Sequence, residues 1–186
     1  MTGVQTCALP ISAAGEIHVA QGGSGVLHVS GAGASITGTD FNIGSTGGGT
    51  ALATVELGGT LTAECRLYVG HFGGSNGFLT INGGGVVNGN EYVIIGNDGG
   101  AIGQIDMNGD ARLNVSAQLR VGEAGTGTLN VNGTSVVDLL MRTNHYIGVG
   151  GGSVGTVTVT GGAVKDRKST RLNSSHSDLS RMPSSA

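Results

Sequence analysis

Hydrophobic and polar positions along the chain are organised by one recurring pair, an aliphatic residue followed by glycine: Ile43-Gly44, Val69-Gly70, Ile95-Gly96, Val121-Gly122 and Ile147-Gly148. Successive glycines of the pair stand 26 residues apart, which identifies a repeat array. Ahead of each pair the side chains alternate. Phe41, Leu67, Val93 and Leu119 fall on one face with Ile43, Val69, Ile95, Val121 and Ile147, and Asn42, Tyr68, Ile94, Arg120 and Tyr146 fall on the other. Period two is the mark of a strand, whose successive side chains point to opposite faces. The first set is apolar and the second mixed, which predicts one buried and one solvated face.

A second strand follows a Gly/Ser/Asn loop in each unit: Val26-Leu27-His28-Val29, Val55-Glu56-Leu57, Leu79-Thr80-Ile81, Ile105-Asp106-Met107, Leu129-Asn130-Val131 and Val157-Thr158-Val159. Aliphatic residues flank one polar residue every time, so this strand also buries one face. It closes on a small polar residue and glycine, as in Ser30-Gly31, Asn82-Gly83, Asn108-Gly109, Asn132-Gly133 and Thr160-Gly161. Asn and Gly tolerate the positive φ that such turns require. A weaker third strand comes next, for example Thr60-Leu61-Thr62, Val86-Val87 and Arg112-Leu113-Asn114-Val115. The loop from Gly122 to Gly127 is two residues shorter than that from Gly96 to Gly103, and the fixed period predicts compensation in the third segment.

The units begin at Glu16, where Val19-Ala20 stands in for the pair, then at Phe41, Leu67, Val93, Leu119 and His145, the last running to about Lys165. Three short strands and three turns in such a unit fit one coil of a parallel β-solenoid. The predicted fold is all-β, a β-helix of the pectin-lyase-like kind with about six coils of roughly 26 residues and no caps. Stacked at the ~4.8 Å strand spacing, six coils span roughly 29 Å. A meander of hairpins is the rival, since Asn-Gly also marks hairpins, but it accounts less well for apolar rows that coincide from unit to unit. In a stack, Asn82, Asn108 and Asn132 either form an amide ladder along the axis or only satisfy the turn; both readings stay open.

Composition changes the picture mainly at the ends. Met1-Thr2-Gly3-Val4-Gln5-Thr6-Cys7-Ala8-Leu9-Pro10-Ile11 resembles a translated short-read sequencing adapter, and Asp166-Arg167-Lys168-Ser169-Thr170-Arg171-Leu172-Asn173-Ser174-Ser175-His176 resembles the same adapter from its other strand. The residues to Ala186 fit its barcode and the constant sequence beyond. Residues 1–11 and 166–186 are therefore expected to be non-native, the latter disordered, and 12–165 to be the solenoid domain. A signal-peptide remnant is the other reading of the first stretch, but it lacks positive charge and its apolar run is short.

Within 12–165 there are five basic and ten acidic residues, a net of −5 against −3 for the whole chain. No basic patch points to nucleic acid, and no apolar run is long enough for a membrane-spanning helix. All but Gly3 of the 38 glycines lie between the adapter-like ends, where they punctuate strands. Cys65 is then the lone cysteine, and no disulfide framework follows.

The units Val69-Gly70 … Gly77-Phe78-Leu79-Thr80-Ile81-Asn82-Gly83 and Val121-Gly122 … Gly127-Thr128-Leu129-Asn130-Val131-Asn132-Gly133 resemble the Gly-rich β-strand repeats of bacterial autotransporter (type V secretion) passengers and PEP-CTERM-associated proteins. The resemblance implies an exported passenger or stalk, at the cell surface, anchored through the outer membrane or secreted. Expected partners are surface glycans or proteins of a host or neighbouring cell, and a stack without caps is expected to self-associate through its open ends.

Candidate chemistry is sparse. β-Helical polysaccharide lyases and hydrolases use carboxylate clusters, but Asp98, Asp106, Asp110 and Glu123 occupy different repeat positions and read as a solvated face. His18, His28, His71 and His145 are too scattered for a metal site. Cys65 reads as an inert turn residue. Gly47-Gly48-Gly49 and Gly150-Gly151-Gly152 lack the Lys-Ser/Thr of a phosphate loop. No catalytic, cofactor or metal site is expected, and the chain reads as a non-enzyme. The strongest hint is the outward row, in which Tyr68, Arg120 and Tyr146 form a candidate surface contact row that Ile94 interrupts. The alternative is a fragment of a β-helical polysaccharide-acting enzyme.

Overall fold

The computed structural model describes residues 10–141 and 143–166. Apart from Pro10, Ile11 and Asp166, the adapter-like segments lie outside the described residues, and so does the expectation of disorder from residue 167 onward. The described chain is all-β, a parallel β-solenoid of about six turns. Its strands take in Ile11 and Asp166, one residue beyond each bound of 12–165. No helix among the described residues is long and apolar enough to cross a membrane.

Each coil has three faces. The second strands of all six coils, from Ser24–Ser30 to Val154–Thr160, form one six-stranded sheet. The first and third strands belong to a single eleven-stranded sheet, because Ser35–Ile43 and Thr60–Val69 run through the corner between them. Cys65 therefore lies inside a strand and not in a free turn: Glu64 and Cys65 bulge opposite Thr39, and Asp40 Oδ1 accepts the Arg66 N–H at 2.9 Å beside the bulge. Burial raises the Cys65 thiol pKa.

Stacking places like on like. Leu79 pairs with Ile105, Ile105 with Leu129 and Leu129 with Val157, the in-register row that the apolar pattern predicts. The coil from Val93 directs Val93, Ile95, Ile105, Met107, Leu113 and Val115 inward, all fully buried. Burial of each such side chain contributes on the order of 1.5–3 kcal/mol. Gly89 holds an inward position because a Cβ there would lie 2.3 Å from Val93 Cγ2. Among the described residues the last coil's rows are covered on one side, and Val159 is 47% exposed where Val131 is 0%.

The pair's glycine turns the corner. Gly44, Gly70, Gly96, Gly122 and Gly148 have φ between 68 and 76°, and Ala20, their stand-in, has φ 62°. Positive φ crowds any Cβ, and a Cβ on Gly96 would also lie 2.3 Å from the Thr126 carbonyl oxygen.

Two details differ from the sequence reading. Val55 pairs with Ile81, so Ala53-Thr54-Val55 is the counterpart of Leu79-Thr80-Ile81; Leu57 is an exposed turn residue at φ 53° and Glu56 leaves the outward slot it was expected to fill. Small Ala53 is 2% exposed and supplies the core contact that the sequence pattern assigns to Leu57. The compensating residues after the short Gly122 loop fall at the third corner, between Leu139 and Tyr146, since the third strands Arg112–Val115 and Val136–Leu139 are equal in length.

The amide ladder forms. Asn132 Nδ2 donates to Asn108 Oδ1 (3.3 Å), Asn108 Nδ2 to Asn82 Oδ1 (3.2 Å), and Asn82 Nδ2 to Glu56 Oε2 (3.0 Å). Asn82 and then His28 hold the Glu56 carboxyl below its usual pKa. A second ladder on the third face runs from Asn114 through Asn88 to Thr62.

Candidate functional site

The row expected to face solvent on the first-strand face is partly closed over. Asn42, Tyr68 and Ile94 are 1%, 7% and 4% exposed, so this face is not simply solvated. Residues that follow each corner glycine fold back beside the row. His71 stacks on Tyr68 at 3.7 Å between ring centroids and on Phe72 at 3.9 Å. Its Nδ1 lies 2.6 Å from Asn42 Oδ1, which can only accept, so Nδ1 carries the hydrogen. Burial lowers the His71 pKa.

Further along the axis the row opens into a concave groove of about 320 Å³. Tyr68, Ile94 and Arg120 form its floor, Arg66, Glu91 and Tyr92 one wall, and Asn97 and Glu123 the other. The floor residues lie on adjacent rungs, with Tyr68 paired to Ile94 and Ile94 to Arg120. Arg66 and Tyr92 share the face because they stand two residues before Tyr68 and Ile94.

Side chains here hold one another. Arg66 Nη1 donates to the Tyr68 hydroxyl at 3.2 Å, and that contact, with the Asp40 charge, raises the Arg66 pKa. Gln118 Oε1 accepts from Arg120 Nε (3.0 Å) and Nη2 (2.8 Å), and Arg120 also pairs with Glu123. The Arg120 guanidinium carbon stands 5.4 Å from the Tyr92 ring centroid and 5.9 Å from that of Tyr146, within cation–π range. Thus Tyr68, Arg120 and Tyr146, read from the sequence as a contact row, stand on one face with Ile94 between the first two. Sequence reasoning missed its walls, Arg66, Glu91, Tyr92, Asn97 and Glu123. The alternation carried the signal for Arg66 and Tyr92, which stand two residues before floor positions; Glu91, Asn97 and Glu123 lie outside it.

Other constellations do less. Ser45 Oγ lies 2.9 Å from His18 Nδ1, and His18 Nε2 lies 3.1 Å from Glu16 Oε2, an order of groups that nucleophilic hydrolases also use. Ser45 is 1% exposed, however, so no substrate atom reaches its oxygen, and the relay serves to tie the first coil to the second. The four carboxylates noted in the sequence are dispersed. Asp110 accepts the Gly84 N–H at 2.7 Å, Asp106 accepts from Asn130 and Gln104, Asp98 accepts from Asn97, and Glu123 pairs with Arg120. Among the described residues, no group of three His, Cys, Asp or Glu side chains could hold a metal ion. Comparison with protein-family models, curated proteins and solved structures finds no match to this chain.

Proposed function

We propose that the chain is a structural repeat segment, a stalk or passenger, of an autotransporter-like bacterial protein displayed at the cell surface or secreted, with adhesive contacts made through the groove face. The observation that supports this reading is uniformity along the axis: all three faces repeat in parallel register from coil to coil, and outward polar rows bond to their own counterparts above and below. A stack in which each repeat contacts only its neighbours is extended by adding repeats, which suits a surface spacer. Partners on this reading are glycans or proteins of a host or neighbouring cell. Self-association belongs to it as well, because among the described residues the six-stranded sheet ends on strands Ser24–Ser30 and Val154–Thr160, each paired there on one side only. Concentration-dependent oligomers are expected by light scattering, and a clean monomer at high concentration would count against them.

One observation favours a polysaccharide-acting enzyme instead: Glu91 and Glu123 both line the groove, and glycosidases act through a carboxylate pair. Glu123 is already engaged by Arg120, which leaves Glu91 without a second free carboxylate opposite it. The complete reading frame from longer reads separates the two. Further repeats with a translocator barrel or a sorting signal are expected; a coil with stacked Asp and a basic residue in a groove would overturn the stalk.

A further inference from the structure

The chain has three tyrosines and no tryptophan, and Tyr68, Tyr92 and Tyr146 all stand on the groove face, two lining the groove and the third beside Arg120. We propose that this groove binds an uncharged, hydroxyl-rich carbohydrate chain lying along the solenoid axis, an inference that rests on the adhesive part of the function proposed above.

The ligand class follows from what the groove offers. Tyr92 is half-buried and lines the groove with the floor residue Ile94; its ring, which the Arg120 guanidinium carbon approaches to 5.4 Å of the centroid, gives an apolar surface for the C–H face of a sugar ring. Around it stand planar polar groups: the Glu91 carboxylate, able to accept from two neighbouring hydroxyls, the Arg66 guanidinium, which gives Nη1 to the Tyr68 hydroxyl and keeps further N–H donors, and the Asn97 amide, which gives one N–H to Asp98 and keeps its oxygen. The lining includes two arginines and two glutamates, so their charges cancel and no net field favours an anionic polymer. A peptide strand finds no edge here: Tyr92–Ile95 is paired on both sides, with residues 66–69 and 118–121, so its backbone has no free ladder for strand addition. Recognition is left to side chains. The volume stands at the lower end of the ~300–1,000 Å³ typical of ligand sites, and a linear chain along the axis meets a new rung about every 4.8 Å.

Titration calorimetry reads binding without depending on the tyrosine that the substitutions remove. The full chain is titrated with neutral pentasaccharides of β-linked glucose, mannose and galactose, and with pentagalacturonate as the charged counterpart. The expected result is a saturable change with at least one neutral sugar, insensitive to salt, weakened about tenfold or more in Tyr92→Ala and within about threefold of wild type in Tyr92→Phe. Asn97→Ala, which removes a wall amide and its bond to Asp98, is expected to weaken binding several-fold and serves if Tyr92→Ala fails to fold by circular dichroism. No response to any neutral sugar, a response indifferent to these substitutions, or a response confined to galacturonate and abolished by salt would overturn the proposal. Failure here, with a barrel or sorting signal in the complete reading frame, removes the glycan and leaves the stalk; binding without such a signal does the reverse.

Discussion

Two outward rows lie on the same coils at the same spacing and are built differently. On the second-strand face, Glu56, Asn82, Asn108 and Asn132 bond head to tail along the axis, each amide engaged by its own equivalent one coil away. On the first-strand face, Asn42, Tyr68, Ile94, Arg120 and Tyr146 differ in size and chemistry, and their contacts run sideways to His71, Arg66, Gln118 and Tyr92. A row of like residues satisfies itself and leaves nothing concave. Unlike residues cannot stack as a ladder, so side chains lean across the row and a groove opens where they part. The difference separates a face that holds coils together from one that offers a ligand shape and chemistry.

The largest effect is expected at the corner joining the two faces. A Cβ on Gly103 would lie 1.9 Å from the Val69 carbonyl oxygen and 2.5 Å from the Gly96 nitrogen, both backbone atoms that cannot step aside. Gly103→Ala should cost more than ~3 kcal/mol in urea unfolding and disturb both rows. Gly99→Ala, with nothing within 4 Å of its Cβ, should stay within about 0.5 kcal/mol. Equal effects would break the corner argument.

Next comes the ladder. Asn108→Ala removes bonds to Asn82 and Asn132, and a loss of about 1–2 kcal/mol is expected, with the groove's ligand binding unchanged. No loss of stability would mean that the ladder merely decorates the turn.

Acid separates the faces by pH window. The His71 pKa lies below its ordinary 6.5, chiefly through burial. As pH falls through that value the unfolded chain takes up the proton first, so stability present above it declines down to the folded-state pKa. Glu56 on the ladder face has its pKa held below 4.5 by Asn82 and His28. Its stabilisation is present above 4.5 and is lost as pH falls through the folded value. Melting followed against pH should decline in two stages; His71→Gln should reduce the upper one, which His145, its pKa also lowered by burial, shares, and leave the lower one unchanged.

The smallest effect is expected where the repeat departs from its own rule. Ala20 takes the corner position at φ 62°, so Ala20→Gly should stabilise by about 0.5–1 kcal/mol by relieving left-handed strain. A destabilisation would show that the first corner differs from the others.

Much of the architecture was legible because stacking forces equivalence. Every coil must place aliphatics over aliphatics, and so Leu79, Ile105 and Leu129 announce their register in the sequence. Register failed where size misled: Val55-Glu56-Leu57 mimics the strand pattern, yet the smaller Ala53 packs inward and Leu57 turns outward. The groove was half legible. Alternation placed Tyr68, Arg120 and Tyr146 on one face, but the closure of that face by His71 and Phe72 depends on how residues after the glycine fold back, and no period encodes that. Ladder formation was open in the sequence because an Asn-Gly turn is satisfied with or without it; the anchoring of Asn82 on Glu56 appears only once Glu56 is moved into the ladder row.

The division between the two faces is tested most directly by one thermal-shift measurement, in which wild type, Asn108→Ala and Tyr92→Ala are melted with and without the neutral pentasaccharide that wild type binds best. Asn108→Ala is expected to melt about 2–4 °C or more below wild type, with its ligand-induced rise intact. For Tyr92→Ala a smaller drop in melting temperature is expected, from loss of the half-buried ring beside Arg120, with the ligand-induced rise greatly reduced. If both variants lose stability and ligand response together, or Asn108→Ala alone abolishes the response, the two faces are not separate in function and the account is contradicted.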